Sequence, residues 1–301
     1  MDIRQLTYFV KVVEMGSFSR AAAYLHIAQP ALSRQVNGLE VELKERLLIR
    51  NGRGVTPTEA GERLLGHARS ILQLLERTYE DMENARLGRT GSVAIGMPGT
   101  LSTAIATALV RKLHSELPDA KVHVLTGRST QLQEWLLAGR LDMAVLFDAP
   151  NSPMLEIHEL LDEKLHFYEP EPGSESIRMG PDIPLSELVD QPIIINSRPN
   201  RVRETLENAL ARDGRKLLVE CEVDALDTTF ALVSDGSGKT VATLRAHRTV
   251  NTARGVRARK IVKPELGLKV QIVLRARRLN NQLHDAAFRL LRDLCLEILT
   301  P

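Results

Sequence analysis

Ser33, Arg34 and Asn37 carry a hydroxyl, a guanidinium and an amide, and their spacing puts all three on one side of a helix. Arginine can pair bidentately with guanine, asparagine with adenine, and serine with a base or a phosphate. Gln29-Pro30 opens the stretch, and proline suits a first helical turn because its missing N–H costs nothing there. Behind it Leu32, Val36, Leu39, Leu43 and Leu47 step by four, three, four and four, which predicts one buried stripe. Pro30, Ser33, Arg34 and Asn37 then fall on the opposite face, with the donors on the front turns that enter a major groove first.

Such a helix needs others to hold it. Leu6, Phe9, Val10 and Val13 have the spacing of an amphipathic helix, with Gly16 at its end. Ser19 is the expected N-cap of the next helix, with Phe18 as its staple and Ala21, Ala22 and Leu25 as a thin apolar face. After the third helix, residues 48–57 predict two short strands around a glycine-rich turn. Arg50 and Arg53 are placed there to touch a nucleic-acid backbone, or to be ordinary arginines of a solvated hairpin. Residues 1–58 hold eight Lys or Arg against five Asp or Glu, an excess of the sign that phosphate contact requires.

The run of motifs resembles the DNA-binding domain of the LysR-type transcriptional regulators over residues 1–65. The resemblance rests on Leu6-Thr7-Tyr8-Phe9, Gly16-Ser17-Phe18-Ser19-Arg20-Ala21-Ala22, Gln29-Pro30-Ala31-Leu32-Ser33, Leu39-Glu40, and Val55-Thr56-Pro57-Thr58-Glu59-Ala60-Gly61. Residues 26–33 and Leu48-Ile49-Arg50 most resemble the nitrogen assimilation control subgroup. Ser19, Arg20, Gln29 and Pro30 join Ser33, Arg34, Asn37, Arg50 and Arg53 as the expected DNA-contacting set.

From Thr58 to about Leu87 no proline occurs, and Gly88 closes the stretch. Leu64, Ala68, Ile71, Leu75, Thr78, Met82 and Ala85 alternate steps of four and three, the repeat of a coiled coil. The alternative is a long helix packed on its own domain. The resemblance implies that this helix pairs two chains, so that two recognition helices read two half-sites.

Beyond it, residues 91–96, 121–126 and 142–147 read as strands alternating with helices, hence a parallel sheet with helices on both faces. Ligands bind such sheets beyond the carboxyl ends of the strands, at helix N-termini. That places Gly99, Thr100, Ser102 and Thr103 in one loop, and Thr126, Arg128 and Ser129 in the next, at an expected anion site. Simple helix capping is the alternative for many of these hydroxyls. Residues 165–168, 193–195 and 217–223 are further strands, 202–212 a helix, 268–274 a late strand and 280–299 a closing helix.

The resemblance implies a two-lobed, periplasmic-binding-protein-like effector domain with its ligand in the cleft. Phe147, Asn196, Arg198 and Gly236 join the expected effector contacts. The expected fold is α/β: a winged helix-turn-helix over 1–58, a dimerisation helix over 59–88, and an effector domain over 89–301. Its first lobe covers about 91–163 and 268–301, its second about 164–267.

Where related chains carry a Leu-Pro pair after a glycine-rich loop, residues 240–245 read Thr-Val-Ala-Thr-Leu-Arg, which puts the lower cleft wall in doubt. Gly236-Ser237-Gly238-Lys239-Thr240 imitates a phosphate-binding loop, but Val233 stands where the first glycine belongs and no helix follows. Residues 245–263 hold seven Lys or Arg and no acid. A solvated basic face is expected, with contact to an acidic effector, another subunit or DNA backbone as the alternative.

The eight histidines are scattered, without a nucleophile elbow or metal-ligand spacing, so neither an enzyme nor a metal or other cofactor is expected. Cys221 and Cys295 are far apart, and no basic-then-apolar leader or membrane-length apolar run occurs, which points to a cytoplasmic chain rather than an exported solute-binding protein. The expected partners are double-stranded DNA, a small organic acid or amino-acid-like effector, and further copies of the chain as homodimer or homotetramer. A regulator that oligomerises without any ligand is the near alternative.

Overall fold

A computed structural model of the protein describes residues 1–51, 54–86, 91–249, 254–276 and 282–299. It divides into two units, Met1–Arg89 with Ala138–Arg140, and Thr90–Leu137 with Leu141–Pro301.

In the first unit, α1 (Ile3–Met15) begins at Asp2, whose carboxylate accepts from the Gln5 N–H while the Gln5 side chain accepts from the Asp2 N–H. It ends at Gly16, φ 59°, a left-handed position that costs glycine nothing. Leu6, Phe9, Val10 and Val12 are buried, and Val13 only partly. The cap of α2 (Phe18–Tyr24) is Ser17, whose Oγ accepts from the Arg20 N–H at 3.4 Å, and not Ser19. Phe18 explains the shift. With Ala21 and Ala22 it makes an i, i+3, i+4 apolar stripe, so it must itself be helical to reach the core.

The stripe of α3 (Gln29–Leu43) is Leu32, Val36 and Leu39, each fully buried. It does not continue as expected: Leu43 is exposed, and Lys44 takes a left-handed φ of 55° that stops the helix. Leu47 is buried only because the chain has turned, its N–H and that of Leu48 donating to Glu40 Oε1 at 2.8 and 3.1 Å. Strands β1 (Leu48–Asn51) and β2 (Gly54–Pro57) form an antiparallel hairpin with Arg50 opposite Val55. Gly54 is obligatory: at φ 138°, a Cβ there would stand 2.7 Å from the Gly16 carbonyl oxygen.

The 28-residue α4 (Glu59–Arg86) passes so close to β1 that a Cβ on Gly61 would meet the Leu47 carbonyl. Its first half packs on its own unit through Leu64, Leu65, Ala68 and Leu72. Ile71, Leu74 and Met82 are exposed. The side chain of Ala85, and Leu87 and Gly88, lie outside the described residues.

The second unit holds, in order, β3 (Ser92–Met97), α5 (Gly99–Glu116), β4 (Lys121–Thr126), α6 (Ser129–Leu137), β5 (Met143–Phe147) and β6 (Leu155–Pro170). There follow β7 (Arg178–Met179), β8 (Ile183–Pro184), β9 (Ile193–Ile195), α7 (Arg201–Arg212), β10 (Val219–Glu222), α8 (Leu226–Ser234), β11 (Thr240–Thr243), β12 (Val256–Val262), β13 (Gly267–Arg275) and α9 (Gln282–Leu299). The main strand order is β10-β9-β11-β6-β13-β5-β3-β4.

Alternation along the strands builds a layer on each sheet face. Val93, Ile95 and Met97 meet Leu101, Ile105 and Leu109 of α5 and Leu291 and Leu294 of α9, while Ala94 faces Leu132 and Leu136 of α6. Gly96 also lies on the α6 side, where a Cβ would collide with Leu141 at 2.4 Å. β6 serves two sheets. Leu155 to Lys164 pair with β13, and Leu165 to Tyr168 pair with β11, so one continuous strand passes from the first lobe into the second. In the second lobe α7 covers Ile193, Ile195 and Phe167, and α8 puts Phe230 edge-on to Tyr168, their centroids 5.0 Å apart.

The basic stretch is not a bare solvated face. Arg257 Nε reaches Glu171 at 2.5 Å, Arg259 lies 3.8 Å from Glu169, and Lys260 pairs with Glu265. Arg245 pairs with buried Glu163 at 2.5 Å and donates to the last carbonyls of α9. The side chain of Arg248, and residues 250–253, lie outside the described residues. Glu163, Glu169 and Glu171 are far away in sequence, and Glu265 lies just past the end of the stretch, so counting charges within residues 245–263 misses all four.

Candidate nucleic-acid interface and ligand cleft

On α3, Gln29, Pro30, Arg34 and Asn37 are exposed and Ser33 half-buried, with Leu32 and Val36 beneath them. The face expected to read bases is therefore open within its unit. Ser19 and Arg20 are exposed on the first turn of α2. Arg50 is brought to the same face. Its Nη1 donates to Ser33 Oγ at 3.4 Å, its Nη2 donates to Asn37 Oδ1, and its guanidinium carbon stands 4.4 Å from the centre of the Phe18 ring. Arg53, expected beside it, lies outside the described residues. Sequence reasoning missed this assembly because Phe18, Ser33, Asn37 and Arg50 come from three separate elements.

In the second unit a cleft of about 400 Å³ opens between the lobes. Helix starts ring it: Gly99 and Thr100 from α5, Ser129 and Thr130 from α6, Asn200 and Arg201 from α7, Leu226 and Asp227 from α8. Free N–H groups at such ends, with the positive ends of the helix dipoles, favour an anion. Strand β11 supplies the lower wall through Thr240, Val241, Ala242 and Thr243, so the missing Leu-Pro pair leaves no gap.

Of the expected effector contacts, Gly99, Thr100, Thr103, Arg128, Ser129, Phe147 and Asn196 line this cleft. Ser102, Thr126, Arg198 and Gly236 do not. Ser102 and Thr126 bond to each other at 3.3 Å, Arg198 is held by Glu207 at 2.8 Å, and Gly236 sits exposed beyond α8. Several lining groups are committed to the fold. Thr103 Oγ1 donates to the Gly99 carbonyl, Ser129 Oγ accepts from the Phe147 N–H at 3.1 Å, and Thr240 Oγ1 donates to the Ile194 carbonyl at 2.8 Å. Asn196 Nδ2 donates to the carbonyls of Val223 and Asp224. Among the described residues the hydroxyls of Thr100 and Thr130 carry no such bond.

The missed lining residues are mainly Asn200, Arg201, Asp224 and Asp227. Asn200 is the N-cap of α7, its Oδ1 accepting from the Arg203 N–H at 3.1 Å. That signal was available, since a short polar residue opens the helix behind Pro199. Arg201 Nη1 donates to Glu204 at 2.8 Å, while its buried Nε makes no hydrogen bond among the described residues. Asp224 is held by the Ser197 N–H at 3.0 Å and reaches Arg128 Nη2 of the other lobe at 2.7 Å. Beneath this wall Arg203, almost fully buried, donates to Glu207 at 2.9 Å, Glu222 at 2.6 Å and the Asn196 carbonyl at 3.1 Å.

No helix among the described residues is long and apolar enough to cross a membrane, and no three His, Cys, Asp or Glu among them gather as a metal cluster would.

Residues 3–62 match the bacterial regulatory helix-turn-helix protein family of lysR type, and residues 86–297 match the LysR substrate binding domain. The nitrogen assimilation regulatory protein nac of Klebsiella aerogenes is 35% identical over 278 residues, 92% of this chain and 90% of that protein. Its counterpart from Escherichia coli (strain K12) is 33% identical over the same shares, which bears out the finer resemblance. Among solved structures CbnR, a LysR family transcriptional regulator, superposes with a TM-score of 0.72 at 22% identity, covering 98% of this chain and 99% of that one. Full-length CbnR complexed with its target DNA gives 0.71 at 23%, covering 98% and 100%. The chain belongs to the LysR family, transcription regulators that join a DNA-binding helix-turn-helix to an effector-binding domain.

Proposed function

We propose that the face of α3 bearing Gln29, Pro30, Ser33, Arg34 and Asn37 enters the major groove, flanked by Ser19 and Arg20, with the hairpin of Arg50 and Arg53 beside it. The observation that carries this is the exposure of Arg34 and Asn37 directly above the buried Leu32 and Val36. The exposed apolar residues Ile71, Leu74 and Met82 support a role for α4 in pairing two chains, and a dimer or tetramer would then read two half-sites. The domain boundaries follow: residues 1–58 contact DNA, 59–88 dimerise, and 89–301 sense the effector. A cytoplasmic, non-enzymatic regulator is the corresponding cellular role.

The effector is a small organic acid or amino-acid-like compound held in the cleft. Four helix starts and the unbonded Arg201 Nε support an anionic end, and the Thr100 and Thr130 hydroxyls a polar one. Ligand binding would alter the relative disposition of the lobes and so the spacing of recognition helices. Footprinting the purified protein on its own upstream region tests the DNA reading: two protected patches an integral number of helical turns apart are expected, and a single patch or none counts against it. A thermal-shift panel of organic acids and amino acids tests the cleft. A regulator that needs no ligand is favoured by one observation, the pairing of Arg128 with Asp224, and predicts no stabilisation by any compound in that panel.

A further inference from the structure

The Arg50 guanidinium is surrounded on three sides by its own unit: the Phe18 ring on α2, and Ser33 and Asn37 on α3. A guanidinium only donates hydrogen bonds, so the edge of the Asn37 amide turned towards it must be the oxygen. The amide is planar, and its Nδ2 is therefore turned away from Arg50. Asn37 is exposed, and the buried Val36 beside it anchors the helix beneath. Ser33 Oγ likewise accepts from Arg50, which leaves its own proton to donate elsewhere.

This polarity matters for base reading. Recognition of adenine by asparagine uses both amide atoms, Oδ1 accepting from N6 and Nδ2 donating to N7. Here Arg50 holds one lone pair of Oδ1 and leaves the other, so its grip fixes the plane of the amide without consuming the acceptor. We infer that Arg50 is a positioning residue for sequence reading: it holds the Asn37 amide oxygen, so that Nδ2 is presented outward as a donor to an acceptor on a base edge. Arg50 acts through Asn37, with its charge held over the Phe18 ring instead of at a phosphate. The inference rests on the reading that α3 lies in the major groove.

The test is selection of bound sequences from a randomised half-site by the full-length protein and by R50K, N37D and R34A variants, with folding checked by thermal midpoint. The wild-type chain is expected to show a base preference at one position that N37D alters, because the aspartate keeps an acceptor for Arg50 but loses the outward donor. R50K keeps the charge and loses the two-pronged grip, so its preference at that same position should fall about tenfold, and the R50K/N37D double variant should add nothing further. An N37D variant that keeps the wild-type base preference at every position overturns the inference. So does an R50K variant that keeps full preference while R50A weakens all sites equally and lowers the salt slope by about one, the signature of a phosphate contact. If R34A also leaves every base preference unchanged, the placement of α3 in the groove fails first, and the inference with it.

Discussion

Asp224, in the loop after β10, extends its carboxylate to within 2.7 Å of the Arg128 guanidinium, in the loop after β4, and so ties the two lobes across the mouth of the cleft. Both side chains are nearly half exposed, at 43% and 48%, so the pair adds at most about 1 kcal/mol to stability. Its consequence is competition. A carboxylate ligand that uses Arg128 must displace Asp224, which is also held by the Ser197 N–H and hydroxyl.

Asp224→Asn should therefore move the unfolding midpoint little and raise the stabilisation conferred by small carboxylates. Thermal shift of both proteins across a series of mono- and dicarboxylates checks this. Equal shifts in the two proteins would remove Arg128 from the ligand's path.

Thr100→Val should impair the response to ligand and leave DNA binding without ligand intact. The Thr100 hydroxyl lines the cleft at the start of α5 and has no hydrogen-bonding task in the fold among the described residues. Promoter activity measured with and without effector decides it, and a full response in the variant would exclude Thr100 from the site.

Arg203→Met should loosen the second lobe without touching the first. The variant leaves the Asn196 carbonyl and Glu222 without their donor and removes one of the two cations on Glu207, which Arg198 also holds. Glu222 is exposed and is rehydrated when its donor is lost, so the cost comes mainly from the part-buried Asn196 carbonyl and is about 1–3 kcal/mol. Hydrogen exchange in α7 and β10 should show protection lowered by that amount, and exchange in α5 and α9 should be unchanged. Loss of protection spread evenly over both lobes would contradict a local role.

His166 gives a pH dependence of definite sign. It is buried on β6, where desolvation holds its pKa below 6.5 despite Nδ1 donating to the Lys164 carbonyl at 3.1 Å. The folded chain thus keeps the imidazole neutral, while the unfolded chain takes up its proton as pH falls through 6.5. Stability from this residue is complete above that pH and is lost progressively below it, towards the depressed folded value. His166→Asn should flatten the decline in unfolding midpoint between pH 7 and 5, and an identical slope in both proteins would show that His166 does not titrate there.

Much of this was readable in the chain because it depends on local periodicity. The spacing of Leu32, Val36 and Leu39 located the outward face of α3, and strands β3, β4 and β5 announce themselves as short apolar runs. What failed depends on contacts distant in sequence. Ser17, not Ser19, caps α2, because Phe18 belongs to the buried stripe and not to the turn before it. Leu43 is exposed since Lys44 ends the helix in a left-handed conformation that no periodicity encodes. The expected cleft contacts from the first lobe largely line the cavity, whereas Arg198 and Gly236 of the second do not. Which residues of a loop face a cavity depends on how it crosses the opposite lobe, about a hundred residues away in the case of Arg128 and Asp224.

Whether the outward face of α3 reads bases is decided by the affinity of the wild-type and Arg34→Ala proteins for a selected site and its single-base variants at fixed salt. The substitution should cost about 1–3 kcal/mol on the selected site and erase discrimination at one base pair per half-site, while weaker sites are bound almost as before. Equal affinities, with the same ranking of sites for both proteins, would contradict it.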